Sequence, residues 1–179
     1  MKAKNLLVYA VLTAILAGLV TLFTWRMNGW PSAAGQPVTY VTFVAWAAYF
    51  LFGANIKGAA KALSSMVAGV VAAILMFVLS LAFGYDPWWA VPLAIVILVV
   101  PMVFGEKVKI INNVAAIFMG TGLYFSLSAA GAFGDEYTFK TYAIVGLTTL
   151  LYIFFGFVAG WITIQFNIFA SKLWSKRKK

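Results

Sequence analysis

Apolar residues come in six long runs separated by short polar breaks, near 5–25, 38–54, 62–83, 88–105, 111–133 and 142–168. A helix needs roughly 20 apolar residues to cross a hydrocarbon core about 30 Å thick. Inside a bilayer every backbone N–H and C=O must be satisfied within its own segment, and the ten-residue alternation of a barrel strand is missing, so the runs predict helices. The expected architecture is an all-α polytopic membrane protein with six transmembrane helices over residues 1–171, followed by a basic tail over 172–179. The first run follows Lys2 and Lys4 and precedes Ser32, Ala33 and Ala34, which has the look of a secretory signal with a small-residue cleavage site. At about 21 residues it exceeds the 7–15 of a signal's apolar region, and it reads as a retained span.

The polar breaks carry charge unevenly. Of 13 Lys and Arg residues, all but Arg26 and Lys140 fall at the N-terminus, in the second and fourth breaks or in the tail. Lys-rich loops resist translocation, so these segments mark a cytoplasmic face; an even number of spans then leaves both termini there. Asp86, Asp135 and Glu136 fall on the other side and Glu106 on the basic one. Trp25, Trp30, Tyr40, Tyr85, Trp88, Trp89, Tyr137 and Tyr142 gather at the expected outer ends, as an interfacial aromatic belt does, with Trp161 and Trp174 at the inner side. The net charge of +9 is therefore a topology signal with attraction to anionic lipid as a by-product, and its scatter between apolar runs is the wrong layout for nucleic acid. A chain that is 64% hydrophobic and 9% charged has the bilayer as its first partner, with almost no soluble part.

Candidate chemistry is sparse. With no Cys and no His, the chain lacks thiolate nucleophiles, the commonest metal ligands and the commonest general base; every Asp and Glu lies at the end of a run. No Gly-rich phosphate loop is present. These absences predict a protein that is not an enzyme, with no metal and no cofactor, and they disfavour a proton relay, which needs ionisable groups inside the bilayer.

What the runs do contain is small and weakly polar residues in helical register. At about 100° per residue, Thr42, Tyr49 and Gly53 share a face of the second run, and Ser65 and Gly69 share one of the third. Asn113, Gly120, Tyr124 and Ser128 share a face of the fifth, and Thr149, Tyr152 and Gly156 one of the sixth. Such stripes let helix backbones approach closely. They also suit a narrow polar path, with Tyr49, Tyr124 and Tyr152 as a mid-membrane layer and Gly53, Gly120 and Gly156 giving clearance one turn further in. Pro101 predicts a kink in the fourth helix, because proline removes a donor and frees a carbonyl one turn earlier. Asn112 and Asn113 read as a helix cap or a pore mouth.

Phe-Gly pairs recur at Phe52-Gly53, Phe104-Gly105 and Phe155-Gly156, spaced by 52 and 51 residues. Their spacing raises the possibility of three parallel two-helix repeats about an axis along the membrane normal. The same pair at Phe83-Gly84 and Phe133-Gly134 weighs against it.

Ala48, Tyr49 and Phe50, then Lys57 and Gly58, then Gly69, Val70 and Val71, with an echo at Phe118, Gly120 and Phe125, resemble a bacterial inner-membrane family catalogued as domain of unknown function 1097 (DUF1097). The resemblance implies fold and location and carries no site residues. From the residues themselves, the leading expectation is a homo-oligomeric channel or facilitator for a small polar, uncharged solute, working without ATP. The other is a non-transport assembly or regulatory subunit whose stripes pack against partner helices.

Overall fold

The computed structural model describes residues 3–84 and 88–175, with the side chains of 3, 4 and 173–175 excepted. Tyr85, Asp86, Lys2 and the tail residues Lys176, Arg177, Lys178 and Lys179 lie outside the described residues, as do the side chains of Lys4 and Trp174. The rest is helical, with no strand among the described residues: α1 (Ala3–Met27), α2 (Thr39–Leu51), α3 (Ile56–Ala82), α4 (Ala90–Phe104) continued by a 3₁₀ turn (Gly105–Lys107), α5 (Val114–Ala129) and α6 (Phe139–Ser175).

Each boundary has a local cause. Asn55 caps α3, its side chain accepting from the Gly58 N–H at 2.9 Å, and Asn113 caps α5 by accepting from the Ala116 N–H at 3.1 Å. Thr138 caps α6 through its hydroxyl, which accepts from the Thr141 N–H at 3.3 Å. These side-chain acceptors satisfy amides that have no partner inside the first turn. α2 ends because Gly53 and Ala54 turn into the left-handed region, with φ of +106° and +52°.

Four helices are long and apolar enough to cross a membrane, within α1, α3, α4 with its 3₁₀ turn, and α6. α2 and α5, at 13 and 16 residues, rise only about 20 and 24 Å, short of a full crossing. The expected runs 38–54 and 111–133 are thus cut at both ends by caps and turns that hydropathy does not register.

The most extensive packing joins α2 to α6 and α3 to α5; α4 then lies on α3, α1 on α6, and α3 crosses α6. The core is therefore α2, α3, α5 and α6, with α1 and α4 as outer struts. Among the described side chains of α1 only Thr24 is buried, whereas Leu7, Leu19 and Leu22 are more than half exposed, as residues facing lipid are. The connections at residues 52–55 and 105–113 lie on one face, here the basic face, with Lys57, Lys61, Lys107 and Lys109; those at 28–38 and 130–138 lie on the opposite face with Asp135 and Glu136.

The Phe-Gly pairs occupy three unlike settings: Gly53 in a left-handed turn, Gly105 in a right-handed 3₁₀ turn, and Gly156 in the middle of α6. A threefold set of parallel hairpins does not describe this packing.

Candidate functional site

The stripe residues are found at helix crossings. A Cβ built on Gly69 would overlap the carbonyl of Ile117, one on Gly120 that of Met66, and one on Gly156 that of Thr42. These glycines bring backbones into contact, so the clearance expected of Gly120 and Gly156 is filled by neighbouring main chain. Gly53 does not belong to a mid-membrane layer either: it serves the turn after α2, where its φ of +106° excludes most side chains.

The three tyrosines do not form one layer. The Tyr124 hydroxyl donates to the Tyr142 carbonyl at 3.0 Å, the Tyr152 hydroxyl accepts from the Gly29 N–H at 3.2 Å, and the Tyr49 ring lies on Gly160. Those contact points, 142, 152 and 160 along or opposite α6, spread over about 27 Å at 1.5 Å per residue. Tyr124 and Tyr152 are fully buried and Tyr49 is 2% exposed. Between them they tie the molecule together at three heights.

The remaining candidates are satisfied locally. Ser65 donates to the Lys61 carbonyl at 2.9 Å, Ser128 to that of Phe125 at 2.7 Å, and Thr149 to that of Val145 at 2.8 Å. Asn113 is a cap, and Pro101 lies inside α4 against an apolar recess of about 180 Å³. Every buried polar side chain other than tyrosine is a Ser or Thr, and no charged side chain is buried among the described residues. Three buried side-chain oxygens have no hydrogen-bond partner among the described residues: Asn5 Oδ1, Asn112 Oδ1 and the Thr42 hydroxyl, which belongs to a fully buried residue beside Gly156.

The two ends of the core differ. Toward the opposite face, Phe133 lies 4.9 Å from both Phe77 and Tyr142, ring centre to ring centre, and Phe77 stacks in turn near Tyr124 and Phe125. Above this cluster a recess of about 410 Å³ has Pro31, Phe133, Asp135 and Glu136 in its wall, and Gln36 ties the two loops by donating to the Ala130 carbonyl at 2.7 Å. Toward the basic face, an apolar groove of about 370 Å³ runs between α3 and α6, lined by Tyr49, Ala59, Leu63, Phe157 and Trp161. The Tyr49 hydroxyl makes no hydrogen bond among the described residues.

Sequence reasoning missed Gly29 and Phe133. Gly29 is signalled only by the Asn28-Gly29 turn pair, both residues having positive φ, and Phe133 by nothing beyond its aromaticity.

No curated protein and no solved structure matches the chain. A family model does, over residues 10–167, which takes in all six helices in whole or in part. The chain belongs to the family described as protein of unknown function (DUF1097).

Proposed function

We propose that the protein is a multi-pass facilitator for a small, polar, uncharged solute, working without ATP, catalytic chemistry or an intramembrane proton relay. The observation that carries this reading is the uncharged hydroxyl character of the buried polar groups, above all Thr42, which is buried without a partner. A hydroxyl left unpaired away from water costs about 1–3 kcal/mol, so its presence in an otherwise apolar core asks for a role. Selection by hydrogen-bonding groups and width, without fixed charge, suits a neutral solute. Because the glycine crossings are filled, passage requires helices to move.

The membrane is a bacterial inner membrane with both termini cytoplasmic, a reading supported by Lys57, Lys61, Lys107, Lys109 and Lys172 gathering toward one face. A single Cys at Gln36, in a chain without native Cys, should react from the external side; reaction only from the cytoplasmic side reverses the orientation. Assembly into a homo-oligomer belongs to the same proposal, but the Gly156 and Ser65 faces expected to join protomers are consumed within one chain. Copies would have to meet through α1 or α4, and mass measurement in nanodiscs tests this.

The alternative, a non-transport assembly or regulatory subunit, is favoured by Gly69, Gly120 and Gly156, which give stripes a packing role and nothing more. Liposome swelling with a panel of uncharged and weakly charged solutes separates the two. A rapid, solute-specific response supports the facilitator; a flat response from folded protein supports the subunit.

A further inference from the structure

Two apolar recesses flank the core, one between α3 and α4 and one between α1 and α6. The first is walled on α3 by Ala68, Val71, Ala72 and Leu75. Adding 87 to each number gives Phe155, Val158, Ala159 and Ile162, the α6 wall of the second. On α4 the first recess is walled by Leu98, Pro101, Met102 and Gly105. Subtracting 82 gives Leu16, Leu19, Val20 and Phe23, the α1 wall of the second. The helix crossings obey the same relation. Gly156 of α6 sits against the Thr42 carbonyl and Trp46 N–H of α2, and Gly69 of α3 against the Ile117 carbonyl and Thr121 N–H of α5; the glycines differ by 87, and both partners by 75.

Sequence carries the trace. Phe43, Ala45, Tyr49 and Phe50 of α2 correspond to Phe118, Gly120, Tyr124 and Phe125 of α5 at that offset of 75, and Gly69, Val71 and Ala72 to Gly156, Val158 and Ala159 at 87. The order of helix contacts is unchanged when α1, α2 and α3 are exchanged for α4, α5 and α6. In each half the third helix is the longest, and corresponding helices run in opposite directions.

We infer that the molecule is two inverted three-helix repeats related by a pseudo-twofold axis in the membrane plane, and that it works by exchanging the conformations of its two ends. Inverted repeats of this kind support alternating access, since each end can adopt the geometry now seen at the other. The axis passes between α3 and α6 near Met66 and Ile153, which correspond at the same offset of 87 and are both fully buried. The two ends are in different states. Tyr124 is held to the Tyr142 carbonyl beside an aromatic cluster whose Phe133 also walls the outer recess, while its buried counterpart Tyr49 lines the groove and its hydroxyl has no hydrogen bond among the described residues. Tyr142 corresponds to Asn55, the cap of α3, so the exchanged state has Tyr49 held at the start of α3 and Tyr124 released. This inference deepens the facilitator reading: the solute passes through a moving carrier instead of a standing pore.

The test needs no solute. Single cysteines at Ala132, buried under the outer cluster, and at Ala59, in the basic-side groove, report each end by their rate of reaction with a methanethiosulfonate reagent in nanodiscs. Tyr124→Phe removes one hydrogen bond from the closed end and should raise labelling at Ala132 about fivefold while lowering it at Ala59, since such a bond is worth about 1 kcal/mol. Tyr49→Phe should shift both rates the other way. A rise at Ala132 with Ala59 unchanged, no change at either, or shifts of the same sign in both variants overturns the exchange. A flat swelling response with opposed labelling shifts would retire the solute reading alone.

Discussion

Around Tyr124 the aromatic rings are crowded: Phe77, Phe125, Phe133 and Tyr142 gather together, and a hydroxyl is fastened to main chain. Around Tyr49, at the corresponding place in the other half, Phe157 and Trp161 line a groove of about 370 Å³ and the hydroxyl has no hydrogen bond among the described residues. The backbone crossings beneath both are alike, with a glycine of the long helix against a carbonyl of the short one. The difference therefore lies in what covers each crossing. It teaches that packing at the crossings is fixed structure, while the covers are where two states can differ.

The largest expected effect lies at the shared part. Gly156→Leu and Gly69→Leu place side chains on the Thr42 and Ile117 carbonyls, atoms that cannot move out of the way, and each should prevent folding or cost more than about 3 kcal/mol, read by thermal unfolding in detergent. If either variant folded normally and merely lost flux, these glycines would be lumen residues after all and the crossings would not be common to both halves.

Next come the covers. Phe133→Ala should lower stability by about 3 kcal/mol, because it empties a closed cluster. Phe157→Ala should cost about 1–2 kcal/mol less, since Phe157 packs on the Tyr49 ring whereas Phe133 packs on those of Phe77, Tyr124 and Tyr142. Equal losses would mean that the two ends are equally packed.

The caps give a smaller effect. Asn55→Ala and Asn113→Ala each remove one acceptor from a helix start and should cost about 1 kcal/mol. A change of opposite sign and no larger is expected of Gly122→Ala: nothing lies within 4 Å of the added carbon, so stability should rise by up to about 1 kcal/mol, in contrast to Gly120 two residues away.

How much of this is legible in the chain depends on the kind of information. The helices are written in the apolar runs, and the caps at Asn113 and Thr138 in their side chains. The short extents of α2 and α5 are not, because hydropathy continues through Val38 and Phe52, where the backbone turns. The small-residue stripes are visible as stripes, but composition alone cannot say whether Gly120 faces a lumen or a carbonyl. Both satisfy the same periodicity, and only the register of α3 against α5 decides. The duplication is legible too, in Phe43 to Phe50 against Phe118 to Phe125. A search at one fixed spacing settles on the Phe-Gly pairs, since loops of different length give the three helix pairs offsets of 82, 75 and 87. Direction matters as well: repeats that run oppositely through the membrane put corresponding residues on opposite faces, so loop charge does not repeat with them.

The most direct measurement is the separation of spin labels on two corresponding pairs, Ile56 with Trp161 across the groove and Ala143 with Ile74 across the closed end. Each pair joins α3 to α6, and the offset of 87 converts one into the other. The account predicts a shorter principal distance for Ala143 with Ile74, a longer one for Ile56 with Trp161, and in each pair a minor population at the other's principal distance. A single unshared distance for each pair, or one common distance at both ends in every condition, would contradict it.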